Sequence, residues 1–93
     1  MSQVSIQQAM QQFLEKSRLK QRVQALQIKD LWAELMGKTI ANYTDDIRLV
    51  NHQLIISTHV PPLRQELVYQ REKIRNRVNE ALGENAVHEV IIK

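Results

Sequence analysis

The chain has 93 residues, of which 43% are hydrophobic and 25% charged, the balance of an ordinary globular chain, and its length suits one domain, taken as residues 1–93. It contains no cysteine, which excludes a disulfide scaffold, a thiol nucleophile and a thiolate metal site and agrees with a cytoplasmic location. The net charge of +3 is mild, so contact with nucleic acid or another acidic surface is permitted but not demanded.

Met1 to Ser5 hold no basic segment leading into an apolar run, so no secretory leader is expected. No apolar run approaches the length of a membrane span, so no membrane partner is expected. Two glycines and two prolines leave no room for a flexible linker or a glycine-rich phosphate loop.

Ser5 and Gln8 have the spacing of a capping box. Ile6, Met10, Phe13 and Leu14 then mark one helical face. Leu19, Val23 and Leu26 mark a second face out of phase with the first, which predicts a break near Ser17. Leu31, Trp32 and Leu35 are out of phase again; either the chain bends near Ile28 or one helix is covered on both sides. Residues 1–30 thus read as N-terminal helices and residues 31–92 as the core of the domain. Gly37 suits the left-handed residue that ends a helix, and Lys38 to Asn42 read as one further turn pinned by Ile40.

From Asp46 the period becomes two. Ile47 and Leu49 alternate with polar neighbours, Asn51-His52 supplies a turn, and Leu54-Ile55-Ile56-Ser57-Thr58 reads as a second, more buried strand. Pro61-Pro62 end that strand and begin the next helix. Leu63, Leu67, Ile74, Val78, Ala81 and Leu82 share one face, which predicts a single long helix capped by Gly83. Val87 to Ile92 form a last strand. The expected fold is therefore α+β, with a three-stranded sheet covered on one face by helices. Its core should hold Trp32, Leu35, Leu54, Ile56, Leu63, Leu67, Ile74, Val78 and Leu82, with Gly37 and Ile40 at the corner. Periodicity leaves open whether the last strand pairs with the first or the second.

Catalytic chemistry has little support. His52, His59 and His88 lack metal-ligand spacing, Asp45 and Asp46 point apart if extended, and no nucleophile motif is present. No cofactor, metal or small-molecule substrate is expected. Two basic clusters stand out instead: Lys16, Arg18, Lys20 and Arg22, and then Arg71, Lys73, Arg75 and Arg77. On the long helix, Arg64, Arg71 and Arg75 fall on one flank of the buried face and Lys73 and Arg77 on the other. These nine residues are the candidates for contact with phosphates, although solvated helix faces are the ordinary alternative. Tyr69 should be exposed opposite the apolar face, a candidate for stacking or for anchoring a partner.

The pattern Leu31-Trp32, Gly37, Ile40-Ala41, Thr44, Leu54-Ile55-Ile56-Ser57, Leu63, Leu67 and Leu82-Gly83 resembles the DciA-type proteins of bacterial replication, long catalogued as a bacterial domain of unknown function. The resemblance covers nearly the whole chain, most clearly Leu31 to Ile92. It implies a KH-like domain, similar in element order to the N-terminal domain of the initiator DnaA. It also implies association with the replicative DNA helicase, help in loading it, and some binding of DNA, with single-stranded DNA a candidate. Larger members of that family carry a tail after this domain, whereas the present sequence ends at Lys93. A Gly-x-x-Gly loop is absent, so DNA contact would use basic side chains. Two other readings stay open: a DNA- or RNA-binding module without a helicase partner, and a protein-interaction or self-associating domain using exposed sheet edges.

Overall fold

A single helix, α1, runs without interruption from Ile6 to Met36 in the computed structural model, which describes residues 5–93. The question of a leader falls on Met1 to Val4, outside the described residues. Ser5 caps α1 as a reciprocal box: its Oγ accepts from the Gln8 N–H at 3.1 Å, and the Gln8 side chain accepts from the Ser5 N–H at 3.3 Å. The break expected near Ser17 is absent, and of the two alternatives at Ile28 the chain takes the continuous helix. No glycine or proline interrupts residues 6–36, and the change of phase has another cause. The buried stripe of α1 is Gln24, Ala25, Ile28 and Trp32, whereas Ile6, Met10, Phe13, Leu14, Leu19, Val23 and Leu26 are exposed. A helix half that packs against nothing places no constraint on the phase of its apolar residues.

The first eleven residues of α1 therefore project from the domain over about 16 Å at the ordinary helical rise, and the molecule is 58 Å long but only 24 × 20 Å across. This arm should carry little of the stability. Phe13 is 69% exposed, and Phe13→Ala is expected to change the unfolding free energy by less than about 0.5 kcal/mol, as is usual for surface substitutions. A drop of several kcal/mol in urea denaturation would show that the arm is packed in solution.

Gly37 turns the chain out of α1. Its φ of 92° and ψ of 157° are not the left-handed conformation expected there but lie in an extended region essentially reserved for glycine. The helix α2 follows as one turn, Lys38–Asn42. Strands β1 (Asp46–Val50) and β2 (Gln53–Ser57) then form an antiparallel hairpin. Asn51 and His52 both have positive φ, 50° and 64°, the signature of a two-residue turn whose twist matches the strands.

The predicted long helix is two: α3, Pro61–Tyr69, and α4, Arg71–Leu82. The apolar face that continues through Leu67 and Ile74 puts Gln70 and Arg71 where a straight helix would need core residues. At Gln70 the N–H bonds back only three residues, to the Leu67 carbonyl at 3.0 Å, and the Arg71 Nε donates to the Val68 carbonyl at 3.1 Å. A side chain has taken the place of a backbone donor, and the helix is interrupted there. Gly83, with φ 74° and ψ 15°, ends α4 in the left-handed conformation.

The last strand, β3 (Glu89–Ile92), lies parallel to β2, so the sheet order is β1-β2-β3 and β2 is central. Leu54 and Ile56 of β2 are fully buried accordingly. Together with Ile47, Leu49 and Val90 they face Ala25, Ile28 and Trp32 of α1, Leu67 of α3 and Ile74 and Val78 of α4 in one cluster. Leu35, Ile40, Leu63 and Leu82 are partly buried against it. The α+β architecture, with helices over one face of a three-stranded sheet, is thus as expected.

Candidate nucleic-acid interface

Helix α1 lies over β1 and α4 lies against β3, with the two helices touching each other. They run in roughly opposite directions: Leu35 of α1 sits beside Arg77, and Lys20 beside Glu84. This arrangement decides where the two basic clusters fall. Arg18 and Arg22 flank a groove along β1. Arg71 and Arg75 border a shallow depression with His88, Glu89 and Val90 at β3. These are opposite edges of the sheet, so the clusters do not merge into one basic surface.

Within the second cluster most side chains already have partners. The Arg64 Nη2 donates to the Thr58 carbonyl at 2.8 Å, and its Nε is buried without a partner, which suits a positioning role at the start of α3. The Arg77 Nη1 donates to the Leu35 carbonyl at 2.8 Å, closing the C-terminal end of α1. Arg71 is tied to Val68, and Arg75 pairs with Glu72 at 3.6 Å. Glu72 and Glu89 also stand in the depression and offset its charge. Lys73 has no ion-pair partner among the described residues. The expected split of the helix into two basic flanks holds for Arg71 and Arg75 against Arg77, because the first two face β3 and the third faces α1.

The first cluster is more open. Lys16, Arg18 and Arg22 are exposed and make no ion pair among the described residues. Lys20 pairs with Glu84 at 3.2 Å, and the same carboxylate accepts from the Gln24 side chain at 2.6 Å. Because Lys20 and Glu84 are both largely exposed, the pair contributes at most about 1 kcal/mol and releases easily. Four cations thus sit on the projecting arm and its root.

Tyr69 is 76% exposed, as expected, and its hydroxyl accepts from the Gln65 side chain at 3.0 Å. The histidines are structural neighbours of the sheet. His52 and His88 stack with ring centroids 4.4 Å apart, and His59 contacts Asp45 at 2.9 Å. Asp46 accepts a hydrogen bond from Arg48 at 2.8 Å and forms an ion pair with Lys29 at 3.4 Å. Arg48 first, then Lys29, holds its carboxyl below the usual value of 3.8 despite some desolvation. Any stability from this shift is present above the unfolded-state pKa and disappears as pH falls through the lowered folded one; exposure keeps it small.

Three polar residues hold the scaffold through their partners, among them Thr58, which lies just beyond the end of β2 rather than in it. Thr58 is buried; its hydroxyl donates to the Tyr43 carbonyl at 2.6 Å, and its N–H donates to the Lys93 carbonyl at 3.0 Å. Asn79 pairs its amide with Val87 in both directions, each at 2.8 Å, which seats the loop before β3. Gln21 accepts from the Asn51 N–H at 3.1 Å and ties α1 to the hairpin turn. A lone Thr, Asn or Gln has no periodicity, so only its partners reveal it.

Among the described residues, no cluster of three or more His, Asp or Glu could hold a metal ion, and no helix is long and apolar enough to cross a membrane. No curated protein and no solved structure gives a significant match to this chain. A family model described as Dna[CI] antecedent, DciA, does match, over residues 5–92, from the capping serine to the end of β3. The chain belongs to the DciA family, a helicase-loader-related family of bacterial replication that is not known as a catalytic one.

Proposed function

We propose that this chain is a non-enzymatic, cytoplasmic replication adaptor that associates with the replicative helicase and contacts DNA weakly through basic side chains. The observation that carries the reading is the family match over residues 5–92. The arrangement of charge supports the second half: Lys16, Arg18 and Arg22 stand exposed on a projecting helix, whereas most cations of α3 and α4 are tied to backbone carbonyls or carboxylates. The arm is the principal DNA contact and the Arg71–Arg77 segment a minor one. Such contact is electrostatic and tolerant of sequence, because side-chain cations meet phosphates rather than base edges.

The test is co-purification with the host's replicative helicase at two salt concentrations, with and without single-stranded DNA. The helicase is expected to be retained in the absence of DNA, and retention of DNA alone is expected to fall steeply at the higher salt. Recovery of DNA without helicase under every condition would replace the adaptor reading with that of a plain nucleic-acid-binding module.

A further inference from the structure

A groove of about 670 Å³ runs between α1 and β1. Arg18 and Arg22 stand on its helix wall, Leu26 and Val50 give it exposed apolar surface, and Ile47 and Leu49 belong to its strand wall. Strand β1 is an edge, paired only with β2. The two-residue turn makes Val50 and Gln53 a hydrogen-bonded pair, and antiparallel alternation then directs the Arg48 and Asp46 backbone groups inward as well. The N–H and C=O groups of Ile47 and Leu49 therefore face away from β2, toward the groove. No proline in β1 blocks that edge.

We infer that this groove is a docking site for an extended acidic–aliphatic polypeptide segment of a partner protein, added as a fourth strand along β1. The segment's backbone supplies both donors and acceptors to Ile47 and Leu49, its aliphatic side chains lie on Leu26 and Val50, and its carboxylates meet Arg18 and Arg22. The polarity of the site is set by its two ends. Gln21 bonds the Asn51 N–H at one end and Lys29 pairs with Asp46 at the other, so the unpaired cations lie toward the hairpin turn. Acidic residues of the segment belong at that end.

Charge and chemistry select this occupant over two others. A second copy pairing β1 with β1 would bring two sets of Arg18, Arg22 and Arg48 together. Single-stranded nucleic acid would satisfy the cations, but its phosphates offer no donors for the Ile47 and Leu49 carbonyls. The groove also lacks an aromatic ring on which a base could stack. The site shares Arg18 and Arg22 with the proposed DNA contact, so the segment and single-stranded DNA would compete for these two cations. It does not depend on which protein carries the segment, and helicase association is tested separately, so either idea can fail alone.

The test is a titration of the whole isotope-labelled chain with three probes: a blocked octapeptide alternating valine and glutamate, its valine–lysine counterpart, and an oligothymidylate. Amide hydrogen exchange at Ile47 and Leu49 should slow about tenfold with the glutamate peptide at ten times its Kd. The lysine peptide should give no such protection. In the double variant Arg18→Glu, Arg22→Glu the preference should reverse, and binding of the lysine peptide would itself show that the variant is folded. Equal binding of both peptides, glutamate-peptide binding that leaves Ile47 and Leu49 unprotected, or protection by oligothymidylate alone would overturn the proposal.

Discussion

Trp32→Ala should lower the unfolding free energy by about 3–5 kcal/mol, the range for truncating a buried tryptophan. Trp32 is 2% exposed and stands where α1, α2 and β1 converge. Its ring fills that corner, and its Nε1 donates to the Thr44 Oγ1 at 2.9 Å. The same hydroxyl donates to the Ile40 carbonyl at 2.7 Å, so one relay joins the helix to the turn and to the entrance of the sheet. For a domain this small, such a decrease is a large share of the whole stability. Thr44→Val isolates the polar part: it keeps the shape, strands the indole N–H, and should cost about 1–3 kcal/mol. Urea denaturation with unchanged slope reads both variants. A Trp32→Ala effect below about 1 kcal/mol would mean that this corner does not hold the fold together.

Replacing Lys16, Arg18, Lys20 and Arg22 together by glutamine should weaken binding to single-stranded DNA strongly and flatten its salt dependence. For single strands, every cation–phosphate pair that the substitutions abolish takes about 0.7 off the slope of log K against log salt. The parallel replacement of Arg71, Arg75 and Arg77 should have the smaller effect, because Arg71 and Arg77 bond backbone carbonyls and Arg75 faces Glu72. It should instead lower stability, since the hydrogen bond from Arg77 to Leu35 links α4 to α1. Circular dichroism should show the first variant to be as helical as the parent, since none of its four residues is buried. A slope unchanged by the first set and flattened by the second would move the DNA-binding surface to the β3 edge.

Local rules carried much of the fold. The Ser5–Gln8 box, the glycine stops at Gly37 and Gly83, the turn at Asn51-His52 and the alternation of Ile47 and Leu49 each need only nearest neighbours, and each is where the sequence places it. Trp32 as core follows from its helical face in the same way. Features decided by distant partners were not legible. The continuity of α1 depends on its first half meeting nothing, which no apolar pattern reports. The interruption at Gln70 depends on Arg71 reaching the Val68 carbonyl. The pairing of β3 with β2 rather than β1 depends on where α4 delivers the chain and on Asn79 clasping Val87.

The candidate site divides along the same line. Composition shows two basic clusters, but not that they occupy opposite edges of the sheet or that Arg64 and Arg77 are engaged in the scaffold. That separation removes the simplest idea, one continuous basic footprint. It leaves an arm with available cations and an open sheet edge at its root, which are surfaces suited to an adaptor that engages more than one partner.

Sedimentation velocity of the fluorescently labelled chain with purified replicative helicase from its own host tests the adaptor reading most directly. In the absence of DNA, the label is expected to move with the helicase, and the fraction bound should saturate as helicase is added. A label that sediments alone at every helicase concentration, with or without single-stranded DNA, would contradict it.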